Sequence, residues 1–547
     1  MNLARSVCCL RPRLVTALVC FLASSIAPVT VAAQAGADNI PRRTEGNGPY
    51  SRLILRGVNL IDGTGAPTRG PVDIVIENDR IAEIRSVGAP LLDIDPSKRP
   101  EAQGGRELDL PDMYVLPGFV DTHLHLHHEE SGQNVPSEYI LKLWLAHGVT
   151  SGRTVGYDGT MAEEMSIKRL LDSNDITGPR IHLYPFFVTE ESGPIDSEEQ
   201  ARARIRQIKR AGAIGVKFLG AREGVLWAAL DEAARQGLDS TMHHAQLDVV
   251  HANVLSTSAR GLGSMEHWYG LPEAMFIDRQ IQDYPLDYNY NNEQDRFAEA
   301  GRLWKQTAKP GSEKWNDVME TLLERTFALS PTFTAYLTSR DFIRMSRAPW
   351  HEVYTMPSLW EWYRPNRDAH GSYWFDWTIE EEIDWKENYR LWMAFVNEYK
   401  NRGGRVTVGS DSGYIYNLYG FGYVQEMELL REAGFSPLEV IHAATLQGAR
   451  QLGISRDVGS IQVGKKADFV VVRENPLQNL HVLLGTGTIM LNDETGKVEQ
   501  IGGVLYTVKD GIVYDAKALL HDVAAMVQAE KDRLGIAPGI MPIANAD

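Results

Sequence analysis

"LPGFVDTHLHLHHEE", residues 116–130, places four histidines within six positions, directly after an apolar run and a Pro-Gly. The apolar run reads as a strand, and side chains alternate across a strand, so His123 and His125 point the same way. Two imidazoles on one face form an edge that can hold a metal ion. A lone His-x-His is a weak signal, because polar strand ends carry such pairs by chance. His127 shares the face of the pair and is read as a substrate contact or a loop-lining residue; His128 does not share it. A metal site needs further ligands elsewhere in the chain.

Four downstream segments offer them. "AGAIGVKFLG" sets Lys217 in an apolar, glycine-flanked strand, and "DSTMHHAQ" ends another strand with His243 and His244. "GSMEHWYG" does the same for His267, and "GGRVTVGSDSG" ends a β-rich burst with Asp411. Each group sits at the C-terminal end of its strand, where a parallel barrel assembles its site. Five separate strands delivering nitrogen and oxygen ligands are hard to attribute to coincidence. His147, His182, His251, His351, His370 and His442 fit no ligand position and are read as solvated or internally satisfied.

The flanking sequence supports that architecture. "SRLILRGVNLIDGTG", "VDIVIENDRIAEI" and "RELDLPDMYVLPGFVD" are short apolar alternations split by Asp-Gly and Asn-Asp turns, the pattern of a small antiparallel sheet. The texture returns in "GSIQVGKKADFVVVREN" and "GGVLYTVKDGIVYDA", so the two chain ends are expected to build one β-module. Between them, strand-like bursts alternate with helical stretches such as "DSEEQARARIRQIKRAG", which predicts an α/β domain on a parallel sheet, closed or doubly wound. From about 268 to 400 the rhythm breaks, and ten of the twelve tryptophans fall there. That stretch reads either as an aromatic packing insertion or as a wall over the site.

The 547 residues are ample for a large core plus a second module. Arg5, Arg11 and Arg13 precede the apolar "LVTALVCFLASSIAPVTV" and the small-residue "AAQAGA". That order predicts a secretory signal peptide over residues 1–34, with an uncleaved membrane anchor as the alternative. All three cysteines (Cys8, Cys9 and Cys20) lie in this segment, so the mature chain has no cysteine ligand or nucleophile. A net charge of −17 should repel phosphate backbones, which argues against nucleic-acid binding.

The order HxH, Lys, His, His, Asp, with flanking "PGFVDTHLH", "SMEH" and "GSDSG", resembles the amidohydrolase superfamily of metal-dependent hydrolases. "GFSPLEVIHAATLQGARQLGI" and "GSIQVGKKADFVVV" match further habits of that superfamily, and the likeness runs from about Ser51 to Asp515. Within it the chain is most similar to the imidazolonepropionase-like and Xaa-Pro dipeptidase-like branch, through "GVTSGRTVG" and "GPRIHLYP". The resemblance implies a (β/α)8 TIM-like barrel over residues 118–455, with a small β-sandwich module from residues 50–117 and 456–515. A helical tail follows over 516–547.

It also implies the ligand roles. His123, His125 and Asp411 would hold a first metal, and His244 and His267 a second. Lys217, carboxylated by CO2, would bridge the two. His244 is taken because its following Ala245 then matches the family's His-Ala order; His243 is the alternative. The apolar company of Lys217 disfavours its charge and so favours the carbamate. Zinc suits this nitrogen and oxygen set, and manganese, cobalt or iron also fit it.

The implied activity is hydrolysis of a C–N bond in a small molecule, such as a dipeptide or N-acyl amino acid. Metal-activated hydroxide would attack, with Asp411 as general base and then acid. A lactone, ester or carbamate hydrolase, or a binding protein that keeps the fold, are the alternatives. His127, Arg153 and Tyr157 are expected near the barrel mouth as polar substrate contacts. The expected location is the periplasm or the medium, with no membrane contact after signal cleavage, and a homo-oligomer is left open.

Overall fold

In the computed structural model, the described residues are 39–89, 94–127, 131–367, 372–539 and 541–543. The expected signal peptide, His128, His370 and the last four residues of the expected tail lie outside them.

The first strands are β1 (Leu53–Leu60), β2 (Arg69–Glu77), β3 (Arg80–Ser86), β4 (Arg106–Asp109) and β5 (Tyr114–Pro117). Only Gly118 separates β5 from β6 (Phe119–Leu126), which is buried at all eight positions. Parallel strands follow: β7 (Val149–Tyr157), β8 (Arg180–Leu183), β9 (Gly215–Phe218), β10 (Asp239–Met242), β11 (Ser264–Glu266), β12 (Ala328–Ser330) and β13 (Arg405–Val406). Helices such as Glu198–Ala211 and Glu223–Gln236 return the chain between them. The first of these is the "DSEEQARARIRQIKRAG" helix. Ser197 caps its start by accepting from Gln200 N, and Gly212 at φ 95° ends it in the left-handed conformation glycine favours.

The eight strands form a TIM-barrel-like α/β arrangement, registered as two parallel arcs, β6–β7–β8 and β9 through β13. The arcs meet through backbone hydrogen bonds at both edges. On one side Phe187 N donates to Lys217 O (2.8 Å) and Lys217 N to Pro185 O (3.0 Å). On the other, Thr122 N donates to Val408 O (2.9 Å) and Asp411 N to His123 O (2.8 Å). Those two joins place Lys217, His123 and Asp411 on the same inner surface.

The C-terminal strands are β14 (Phe469–Val472), a separate hairpin of β15 (Thr488–Asn492) and β16 (Lys497–Ile501), β17 (Tyr506–Lys509) and β18 (Ile512–Asp515). β14 pairs with β5, from the other end of the chain, in the order β18-β17-β14-β5-β1-β2-β3, with β4 on β1. The expected β-sandwich is thus seen as one eight-stranded sheet, with Leu55, Ile74, Val115, Phe469 and Val508 in its own core. Asp510 and Gly511 turn β17 into β18 with φ 51° and 74°, the paired positive values that a two-residue hairpin turn requires. The tail forms a helix over Ala516–Leu534, and no helix among the described residues is long and apolar enough to cross a membrane.

Residues 268–400 are not a single insertion. They contain β12 as well as the long helix Ile379–Asn401. Trp304, Trp315, Trp385 and Trp392 are fully buried and meet one another or neighbouring aromatics edge-on or at a tilt. These four tryptophans are packing residues.

Candidate metal centre

His123 and His125 project from β6 with their Nε2 atoms 3.3 Å apart. Asp411 Oδ1 lies 3.3 Å from the first and 3.0 Å from the second. His267 Nε2 stands 3.6 Å from the other oxygen of Asp411. Ligands at the corners of a tetrahedron, each about 2.0–2.1 Å from a zinc ion, stand about 3.3 Å from one another. The three closest separations fit that spacing, so the donors suit a divalent cation in both identity and distance.

Protonation points the same way. Burial, opposed by Asp411, brings His125 down to about 4 and His267 to about 3, so both are neutral and can ligate. Burial alone would raise Asp411, but His123, His125 and His267 hold its carboxyl well below the usual carboxylate range. Lys217 is fully enclosed, and burial lowers it to about 8 against the pull of Glu266 and Asp411.

A buried carboxylate without a signal in the sequence sets the orientation of His123. Glu266 Oε2 lies 2.6 Å from His123 Nδ1. An ionised carboxylate only accepts, so Nδ1 carries a proton. Burial opposes the charge of His123, but Asp411 and Glu266 raise its pKa, and Nε2, the nitrogen facing Asp411, is the one a cation would take in place of a proton. Burial opposes the charge of Glu266, yet Arg153, His123 and Lys217 hold it well below the usual carboxylate range. Its other oxygen accepts from Arg153 Nη2 and Thr241 Oγ1. Glu266 precedes His267 directly, and neighbours on a regular strand face opposite ways. Here both face inward, because His267 sits at φ 58°, in the left-handed region. Asp411 (φ 48°) and Thr332 (φ 49°), whose hydroxyl bonds His267 Nδ1, share that conformation. Strained backbone of this kind gathers at functional sites.

The structure puts His243, not His244, on the cavity. Thr241 bonds Glu266 inside the ring, and position 243 shares its face while 244 takes the other. The His243 ring lies 4.7 Å from that of His267. His244 is buried behind them, with Nε2 on Thr257 Oγ1 at 2.9 Å and its ring against Gly270. The family-based choice of His244 is corrected on that ground.

Arg153 is also not a substrate contact. It is fully buried, and bonds Thr122 O (2.6 Å), Ser264 Oγ (3.2 Å) and Glu266. Tyr157 is buried and does not line the cavity. His127 lies behind the pair, bonded to Asp158 at 2.8 Å, with its ring stacked 5.5 Å from that of His125.

The cavity measures about 400 Å³. Its floor holds His123, His125, Lys217, His243, His267 and Asp411, and its walls include Tyr290, Arg296, Phe297 and Tyr336 from the 268–400 stretch. That stretch therefore does wall the site, through tyrosines, a phenylalanine and an arginine. A larger hollow lined by Trp350, Tyr354, Leu520 and His521 contains none of the ligand groups.

Residues 392–513 match the amidohydrolase family. A dihydroorotase from Syntrophus aciditrophicus is 26% identical over 238 residues, 40% of this chain and 48% of that protein. The chain thus spans about half the length of that relative. Among solved structures, bottromycin amidohydrolase superposes with a TM-score of 0.59 at 19% identity, covering 92% of this chain and 94% of its own. A Xaa-Pro dipeptidase with bound methionine in its active site gives 0.55 at 18%, covering 85% and 100%. These structural likenesses show the fold. The family match over residues 392–513 and the His-His-Asp cluster make the chain similar to the amidohydrolases, whose fold it shares.

Proposed function

We propose that the protein hydrolyses a C–N bond, amide or peptide-like, in a small molecule such as a dipeptide or N-acyl amino acid. The observation that carries this reading is the His123–His125–Asp411 cluster at the base of the cavity. In this reading His123, His125 and Asp411 hold one divalent ion, zinc by ligand type, and His243 and His267 hold a second. Lys217 stands between them. Burial favours its neutral amine, which attacks CO2, forms the N–C bond and loses a proton to leave a carbamate anion.

Ions bound there supply Lewis acidity and a water activated near neutral pH. The chain's own residues do the rest. Asp411, beside both imidazoles of β6, takes the proton from the attacking water and delivers it to the leaving nitrogen as the C–N bond breaks. Glu266 keeps a proton on His123 Nδ1, and Tyr290, Phe297 and Tyr336 line the wall beside the cluster. Export rests on the N-terminal segment and belongs to the same proposal.

The test is metal content by mass spectrometry, followed by turnover of dipeptides and N-acyl amino acids by the zinc- or manganese-loaded protein. We expect stoichiometric metal, and loss of about 10²-fold or more in turnover for Asp411→Asn. Stray metal only, or full turnover by the Asn variant, would sink the reading.

A further inference from the structure

Three segments that leave the C-terminal ends of β9, β10 and β11 border the cavity on one side. Leu219 follows β9 and lines the cavity together with Ala245, which lies in the segment after β10. Gly220 approaches that segment so closely that a Cβ there would stand 3.1 Å from Ala245 Cβ and 2.8 Å from Asp248 Oδ2. The segment after β11 joins them. Gln282 Nε2 donates to Gln246 O (3.3 Å), Gln246 Nε2 donates to Tyr284 Oη (3.4 Å), and Tyr290 lines the cavity wall. These adjoining segments carry Leu219, Leu247, Ile277, Ile281 and Leu286, each more than half exposed. Exposed apolar side chains scattered singly need no explanation, but five on contacting segments beside a cavity mark a binding surface.

We propose that this rim takes an extended alkyl chain, so that the substrate is an amide with a long acyl tail. The amide lies over the His-Asp floor, and the tail leaves across Leu219 toward Leu247 and Ile281. The proposal deepens the reading given above and rests on it for the reaction: hydroxide bonds to the acyl carbon, the C–N bond breaks, and the nitrogen gains a proton, releasing a fatty acid and an amine. Charge selects this occupant. The same segments carry Asp248, Asp278, Asp283 and Asp287 against one guanidinium, Arg279, which is already paired with Asp278 (3.2 Å) and Asp283 (3.1 Å). On a chain of net charge −17, that acidic fringe repels an anionic bilayer and a second copy of the chain alike. An uncharged alkyl chain meets no such repulsion. Leu219 belongs to both cavity and rim, so a tail attached to the reacting amide reaches the rim along apolar surface.

The first test uses ligands that lack a C–N bond, so turnover does not intervene. The metal-loaded protein is titrated calorimetrically with 1-hexanol, 1-octanol and 1-decanol. A fully buried methylene is worth about fourfold in affinity, and a rim that covers one side of the chain should give about twofold per methylene. In the double variant Leu247→Ser, Ile281→Ser the gain should fall below about 1.3-fold per methylene. Both side chains are exposed, so the fold does not depend on them. The wild-type gain persisting in the double variant overturns the proposal. So does a flat series in the wild type; loss of a dimer, or of binding to phosphatidylcholine vesicles, in the double variant would then assign the rim to a second copy or to a bilayer. The second test compares kcat/KM for N-decanoylglycine and N-acetylglycine. The longer amide is expected to be favoured at least about tenfold in the wild type and within about threefold in the double variant. If the alcohols bind as expected but no amide turns over, the hydrolase reading fails and the rim stands. If both amides turn over equally well, the rim fails as a substrate site and the hydrolase stands.

Discussion

Glu266 accepts the Nδ1 proton of His123 across 2.6 Å while its second oxygen holds Arg153 and Thr241. One carboxylate thereby holds the proton of His123 on Nδ1 and ties three strands of the ring to its own. Glu266→Gln should weaken metal binding by about 10–100-fold, as loss of such supporting bonds does elsewhere. Competition with a chelator of known affinity measures this; an unchanged affinity would show that Glu266 does not orient the ligand.

The two adjacent histidines should separate cleanly. His243→Ala is expected to lose bound metal while its melting temperature stays close to that of the metal-free wild type. His244→Ala removes the bond to Thr257 inside the packing, at about 1–3 kcal/mol, and should keep its metal. Metal analysis beside thermal unfolding distinguishes them, and the reverse pattern would restore His244 as the ligand.

Lys217 is expected to take up CO2 increasingly as pH rises toward 8, the value to which burial brings it. Carbon-13 bicarbonate should give a carbamate resonance that is absent from Lys217→Met. The same shift governs the metal-free, carbonate-free protein. Between pH about 8 and the model-compound value near 10.4, the unfolded chain keeps a proton that the folded chain has released. Stability should therefore rise with pH across that window in urea unfolding, and the rise should vanish in Lys217→Met.

At the opposite end of the strands, Arg180 joins the ring to the eight-stranded sheet through Asp468 (3.0 Å) and Asp510 (2.7 Å). Burial would raise Asp510, but Arg180, Lys509 and Lys466 hold it well below the usual carboxylate range. Its stabilising effect is present above the unfolded value near 3.9 and is lost as pH falls below it. Arg180→Met leaves two buried carboxylates short of a partner and should cost about 3–5 kcal/mol. Denaturant unfolding at pH 7 checks this, and metal content should not change in the folded variant.

The sequence made the ligand-bearing strands legible because an imidazole or carboxylate ending an apolar run is conspicuous against its neighbours. His123, His125, Lys217, His267 and Asp411 all reach one cavity. Regular alternation does not tell where the ring's inner face begins, so His243 and His244 could not be ordered until Thr241 fixed the parity. Alternation also hides Glu266, since its inward aim depends on the left-handed turn at His267. Strand β12, three residues long, is too short to show a period inside a tryptophan-rich stretch. Arg153 looked like a mouth residue because an arginine near a strand end is normally exposed; its buried partner Glu266 lies 113 positions away. Arg296 carried no signal at all, since its helix reads as an ordinary polar surface.

The pairing of β5 with β14 has a consequence for the order in which the molecule can assemble. Leu116 is registered against Val470, so the strand that feeds His123 and His125 into the ring waits for a neighbour made much later. During synthesis the His-x-His segment emerges long before Asp411 and the strands that seat it, and contacts so distant in sequence form slowly. The nascent chain therefore carries a two-histidine edge with no finished cage, and tight metal capture is deferred until the last strands dock.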